Sequence, residues 1–96
     1  MNILVCYDVN TQTKPGERRL RQVARVCLGF GQRVQDSVFE CRVTDTQEER
    51  FRQRLLKVID QNEDSLRIYR LPGNRDSWIQ VFGIDYYRDP DAPMVV

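Results

Sequence analysis

Residues 3–7, Ile-Leu-Val-Cys-Tyr, form an unbroken apolar run that stops on a carboxylate, Asp8. Side chains alternate between the two faces of a strand, so a run with no polar member needs cover on both sides and predicts a buried central strand. The turn-prone residues Asp8-Val9-Asn10-Thr11 end it. Such a strand delivers its last side chain to the crevice at the sheet's carboxyl end, which makes Asp8 the first candidate catalytic residue. An aspartate at a strand end also serves as a plain turn or cap residue that accepts backbone N–H bonds, and position alone leaves both readings open.

Composition narrows the chemistry. The chain contains no histidine, so a His general base, a His-activated nucleophile and an imidazole metal ligand are all excluded. Hydrolysis would have to rest on carboxylates, most naturally by holding a hard metal ion. Cys6, Cys27 and Cys41 are odd in number, widely spaced and set among apolar residues, which predicts reduced core thiols in a cytoplasmic protein rather than a disulfide frame or a zinc site. The longest apolar stretch is far too short to span a bilayer. Asn2 and Asp8 bracket the only N-terminal apolar segment and no cationic region precedes it, so no signal peptide is expected.

A chain of 96 residues predicts a single domain over 1–96, with an extended tail from about 84. Chains of this size bury only about 60 to 65 percent of their unfolded surface, so oligomerisation would help. Net charge is only +1, but it is unevenly spread: residues 14–33 carry +5, whereas residues 76–96 carry −3. Lys14 and Lys57 are the two lysines among 15 basic residues, and the rest are arginine. The rigid guanidinium fork matches phosphate oxygens bidentately, so phosphate is a plausible partner; arginine also decorates solvated helix faces.

Periodicity then lays out the elements. Thr13 or Lys14 caps a helix with Pro15 in its first turn, and Leu20, Val23, Ala24, Cys27 and Leu28 follow at helical spacing up to Gly29. β-formers from 32 to 43, interrupted at Asp36-Ser37, predict a tight hairpin or a kinked long strand, with the hairpin preferred. Thr46 and Glu49 have capping-box spacing, which predicts a second helix from near Thr46 to about Gln61. Residues 66–71 and 78–83 read as strands joined around Pro72-Gly73-Asn74. The order β-α-β-β-α-β-β is α+β: a ferredoxin-like βαββαβ fold, an antiparallel sheet with two helices on one face, and an additional C-terminal strand. Two helices on one side leave the sheet's other face apolar and uncovered. A second copy is the economical cover, with the last strand adding to the partner's exposed edge.

The Tyr7-Asp8 strand end, the Arg-rich first helix, GQRVQDSVFEC at 31–41, LRIYRL at 66–71 and VFGID at 81–85 together resemble the CRISPR-associated Cas-two family over nearly the whole chain. The resemblance implies a homodimer, a divalent metal site at Asp8 shared between protomers with Tyr7 beside it, and work with the CRISPR-associated integrase in spacer acquisition. It implies metal-dependent endonuclease or endoribonuclease activity in some members. It also suggests nucleic-acid contacts for Arg19, Arg21, Arg33, Ser37 and Phe39, with Arg18 in place of Arg19 if the alignment slips by one. Mg²⁺ suits so few ligands. Ser37 also reads as a plain turn residue and Phe39 as plain core. Alternatives are a free-standing, toxin-like metal-dependent endoribonuclease or a small-molecule regulatory ferredoxin-like domain. An RNA-recognition-motif reading fails, because the aromatics do not form that module's sheet-face signature.

Overall fold

The computed structural model describes residues 1–91. Four strands, β1 Asn2–Asp8, β2 Gly31–Gln35, β3 Val38–Arg42 and β4 Ser65–Leu71, alternate with helices α1 Lys14–Leu28 and α2 Asp45–Val58. They form one antiparallel sheet in the order β2-β3-β1-β4. This is the ferredoxin-like arrangement.

Burial alternates along β1 as its sequence requires. Ile3, Val5 and Tyr7 point at the helices and are buried with Phe39 and Cys41 of β3, Val23 and Cys27 of α1, and Phe51 and Leu55 of α2. Leu4 and Cys6 face the other way and are only half-buried. Burial pushes the Cys27 and Cys41 thiols up to about 12, so both are inert core groups, and all three cysteines are free.

The ends of the elements follow local chemistry. Thr13 caps α1, its side chain accepting from the Gly16 N–H, with Pro15 in the first turn. Gly29 ends it. Asp36-Ser37 forms the predicted hairpin turn, with a register shift between Arg33 and Gln35. Helix α2 starts earlier than the Thr46-Glu49 spacing suggests. Thr44 and Gln47 make the capping box, because β3 stays in the sheet only as far as the bond from the Val43 N–H to the Met1 carbonyl. The helix ends at Val58 rather than near Gln61, because the Asp60 carboxylate accepts from the Asn62 N–H and draws the chain into a turn.

Residues 78–83, expected as a further strand, make no ladder within the chain. A 3-10 turn at Arg75–Ser77 swings the chain across the helix-free face instead. Gly73, at φ 74, opens this path in a conformation that suits glycine. The Arg75 guanidinium grips Glu40 of β3 (2.5 and 3.1 Å), pairs with Asp85 (3.1 and 3.2 Å) and lies 4.0 Å from the Tyr87 ring centroid. Beyond it, the Gln32 side chain pairs with the Arg88 backbone through both its atoms (2.6 and 2.9 Å), and Arg42 meets Asp91. The chain therefore covers the β2–β3 half of its own open face. The β1–β4 half keeps Tyr69 and Arg67 exposed.

Gly16 marks a tight joint. A Cβ there would lie 1.9 Å from the Asn10 carbonyl oxygen, so the start of α1 is jammed against the loop leaving β1. Gly16→Ala should cost about 2 kcal/mol through forced backbone displacement, lowering the thermal midpoint by roughly 10 °C. A calorimetric or circular-dichroism melt checks this; an unchanged midpoint contradicts the tight joint.

Candidate functional site

Asp8 closes β1 on the open face, opposite Ser65 of β4. Its side chain is exposed, and among the described residues it accepts no hydrogen bond and pairs with no cation. A free carboxylate at this position is not a cap. It is free to bind something.

The loop after Asp8 is fixed from behind by a second carboxylate. Asp64 sits in the turn between α2 and β4 with its side chain 0% exposed, and it accepts from Arg19 Nε (2.9 Å) and Nη2 (3.3 Å), from the Asn10 N–H (3.1 Å) and from the Asp60 N–H (2.9 Å). The Asn10 side chain adds a bond to Glu63 (2.8 Å). This one carboxylate ties the β1–α1 loop, helix α1 and the α2–β4 turn together, and the next residue, Ser65, is Asp8's cross-strand partner. Burial alone would raise the Asp64 pKa; the bonds from Arg19, Asp60 and Asn10 outweigh it and hold the carboxyl below its ordinary range.

The other candidate residues do not converge on Asp8 within one chain. Tyr7 points to the opposite face, buried, its ring 6.1 Å from that of Phe39 and its hydroxyl 3.4 Å from the Asp36 carbonyl. Burial raises the Tyr7 pKa despite the nearby Arg33. Phe39 is fully buried core. Ser37 sits in the hairpin turn and its carbonyl accepts from the Tyr7 N–H (3.1 Å). Arg33 lies at the sheet edge with its guanidinium 5.2 Å from the Phe39 ring centroid. Arg21 is exposed on α1, as is Arg18, whereas the Arg19 guanidinium is only 18% exposed and committed to Asp64.

Asp64, Glu40 and Arg75 are the residues that sequence reasoning did not single out. The Asp60-Asp64 pair, in an acid-rich turn just past a helix, was the available signal for the first. Glu40, inside the otherwise apolar VFEC segment at 38–41, was the signal for the second.

Among the described residues no cluster of three acidic, cysteine or histidine side chains could hold a metal ion. Asp8 is a single carboxylate, too few protein donors to make a metal site by itself.

A four-stranded antiparallel sheet, two helices on one face and a lone exposed acid at the end of the central strand define a small ferredoxin-like α+β protein with a strand-end acid site. Residues 1–78 match the family model described as CRISPR associated protein Cas2, and the chain belongs to that family. It is 53% identical over 96 residues to a CRISPR-associated endoribonuclease Cas2 of Moorella thermoacetica, covering 100% of both chains. It is 43% identical to a CRISPR-associated endonuclease Cas2 of Halalkalibacterium halodurans, covering 99% of each. The crystal structure of Streptococcus pyogenes Cas2 at pH 6.5 superposes with a TM-score of 0.77 at 47% identity, covering 86% of this chain and 100% of that one.

Removing Asp64 leaves a buried guanidinium and two backbone donors without an acceptor, so Asp64→Ala should destabilise by about 3 kcal/mol. Because the folded pKa is depressed, Asp64 contributes stability above the ordinary carboxylate pKa of about 3.9, and that contribution is lost as pH falls through its lower folded value. Arg19→Gln should therefore flatten the loss of stability on acidification. Thermal midpoints measured between pH 2 and 6 would show it; an unchanged profile means that Arg19 is not a structural partner of Asp64.

Proposed function

We propose that this protein is a homodimeric, nucleic-acid-binding subunit of CRISPR adaptation that works beside the CRISPR-associated integrase in the cytoplasm, with Mg²⁺-dependent phosphodiester cleavage centred on Asp8. The observation that carries this reading is Asp8 itself: an exposed, unpaired carboxylate on the half of the sheet face that the chain leaves open. Two copies meeting across that half would bring two Asp8 side chains together, and their repulsion calls for a cation. Mg²⁺, which keeps most of its waters, needs few protein ligands. When bound, it supplies charge stabilisation on a phosphate oxygen.

The chain's own residues do the rest. Tyr7 and Phe39 pack behind the strand end and Asp64 pins the loop that follows, so Asp8 is presented from a rigid support. Arg21 and Arg33 are exposed and have no acidic partner among the described residues, which suits phosphate contacts that do not read bases. Arg19 supports Asp64 and the loop, and Ser37 fixes the hairpin.

Three features favour a second copy. Val81, Phe82, Ile84 and Tyr86 stand out from the C-terminal segment, with Phe82 88% exposed. Strand β4 is a free edge. The Trp78 indole N–H is buried without an acceptor among the described residues. In a dimer, the 81–86 segment adds to the partner's β4 edge.

An endoribonuclease that acts without the integrase is the second reading; the Moorella thermoacetica relative is a CRISPR-associated endoribonuclease, which supports the nuclease part of it. The two readings part at Asp8. Asp8→Asn should abolish Mg²⁺-dependent cleavage of single-stranded RNA or DNA while leaving the dimer intact, and spacer acquisition in cells should persist. Acquisition lost with dimer and DNA binding preserved would make the acid site part of acquisition. Phe82→Asp should leave the monomer's melting unchanged and shift sedimentation from dimer to monomer at micromolar concentration; an undisturbed dimer removes the 81–86 segment from the interface.

A further inference from the structure

Paired residues of an antiparallel ladder share a face of the sheet. Leu4, Cys6 and Asp8 of β1 therefore stand with Tyr69, Arg67 and Ser65 of β4 on the side away from the helices, while Leu66 and Ile68 pack against the core. The other strand arginines lie elsewhere or are already held. Arg33 is opposite Phe39 and Arg70 opposite Ile3, both on the helix side. On the helix-free face Arg42 is held by Asp91, and Arg75, just past β4, by Glu40 and Asp85. Arg67 is exposed and has no acidic partner among the described residues.

Register fixes its place relative to Asp8. Asp8 pairs with Ser65, so Arg67 is the diagonal neighbour of Asp8 on the same face. Such neighbours lie about 7–8 Å apart, a span that long side chains cross. Arg67 Nη1 donates to the Tyr69 hydroxyl (3.0 Å), which ties the guanidinium to the sheet, and one bond leaves most of a five-donor fork available.

Asp8 and a phosphodiester are both anionic, so the acid that would accept a metal ion also repels the substrate unless positive charge lies beside it. Hydrolysis raises that demand. A water oxygen bonds to phosphorus, the bond from phosphorus to one ester oxygen breaks, and that oxygen leaves with a proton from the water. Charge builds on the non-bridging oxygens on the way. A planar fork that donates to those oxygens stabilises the charge where it develops.

We propose that Arg67 is a catalytic residue of the acid site, donating to the non-bridging oxygens of a phosphodiester held beside Asp8. The inference rests on the reading of Asp8 as the centre of phosphodiester cleavage and adds the cation that this centre requires. Arg21 on α1 and Arg33 on the helix side of the sheet stand away from it.

The test compares the full chain with Arg67→Gln, Arg67→Lys and Asp8→Asn in Mg²⁺-dependent cleavage of end-labelled single-stranded RNA and DNA, with sedimentation of each variant alongside. Arg67→Gln should lower kcat about a hundredfold while KM, the melting midpoint and the dimer stay as in wild type. Arg67→Lys should restore part of the rate, because an ammonium keeps the charge and loses the fork. A binding readout needs no turnover: in the Asp8→Asn chain the Arg67 Nε–H resonance, assigned by its loss when Arg67→Gln is added, should shift on titration with single-stranded RNA. A resonance that does not move, or a rise in KM with kcat unchanged, overturns the catalytic role. A rate loss that disappears at concentrations where the dimer reforms makes Arg67 an interface residue and overturns it too. Full activity in Arg67→Gln beside an inactive Asp8→Asn overturns Arg67 and leaves the acid-site reading standing. Full activity in Asp8→Asn, or a wild-type chain that cleaves neither substrate, overturns both.

Discussion

The central strand is apolar on both sides, and the helices cover only one. That constraint shapes the rest of the molecule. On the helix side Ile3, Val5 and Tyr7 complete a conventional core. On the other side the chain turns its own C-terminal segment back over β2 and β3, anchored where Arg75 meets Glu40, and among the described residues it leaves Arg67 and Tyr69 of β4 exposed. The uncovered half is where Asp8 lies. An acid, a free sheet edge and exposed apolar side chains from 81–86 thus occur together because one domain of this size cannot bury two faces of its sheet.

Buried acids set the geometry around this constraint. Asp64, Glu40 and Glu48 each sit near a junction between elements distant in sequence, and each is held by arginine. A buried ion pair adds little net stability over an apolar pair, but losing one partner is costly, so such pairs specify arrangement more than they strengthen it. Asp64 fixes the loop behind Asp8, and Glu40 fixes the path of the C-terminal segment. Arginines spent on these acids are unavailable to phosphate. The remaining arginines are concentrated on the helix layer and at the sheet edge.

Much of the fold was legible because its signals are local. Thr13 with Pro15 and Gly29 bracket α1, Asp36-Ser37 turns the hairpin, and the alternation of Ile3, Val5 and Tyr7 names the core face. The α2 boundaries shifted because two capping boxes compete, Thr44-Gln47 and Thr46-Glu49, and only the sheet's reach to Val43 decides between them. Residues 78–83 carry β-forming side chains, but a strand needs an edge to pair with, and tertiary context supplied none within the chain. The candidate site was half legible. Asp8 stands out as a carboxylate closing an apolar run, whereas the division of the arginines depends on acids up to 49 residues away in sequence, as Arg42 and Asp91 show.

The most direct measurement of the central idea, that Asp8 becomes a metal site only when two copies share it, is the stoichiometry of Mg²⁺ binding by isothermal titration calorimetry at concentrations above and below dimer dissociation. One ion per two chains, lost on dilution to monomer and absent in Asp8→Asn, is the predicted result. One ion per chain, or binding that survives dissociation, would contradict it.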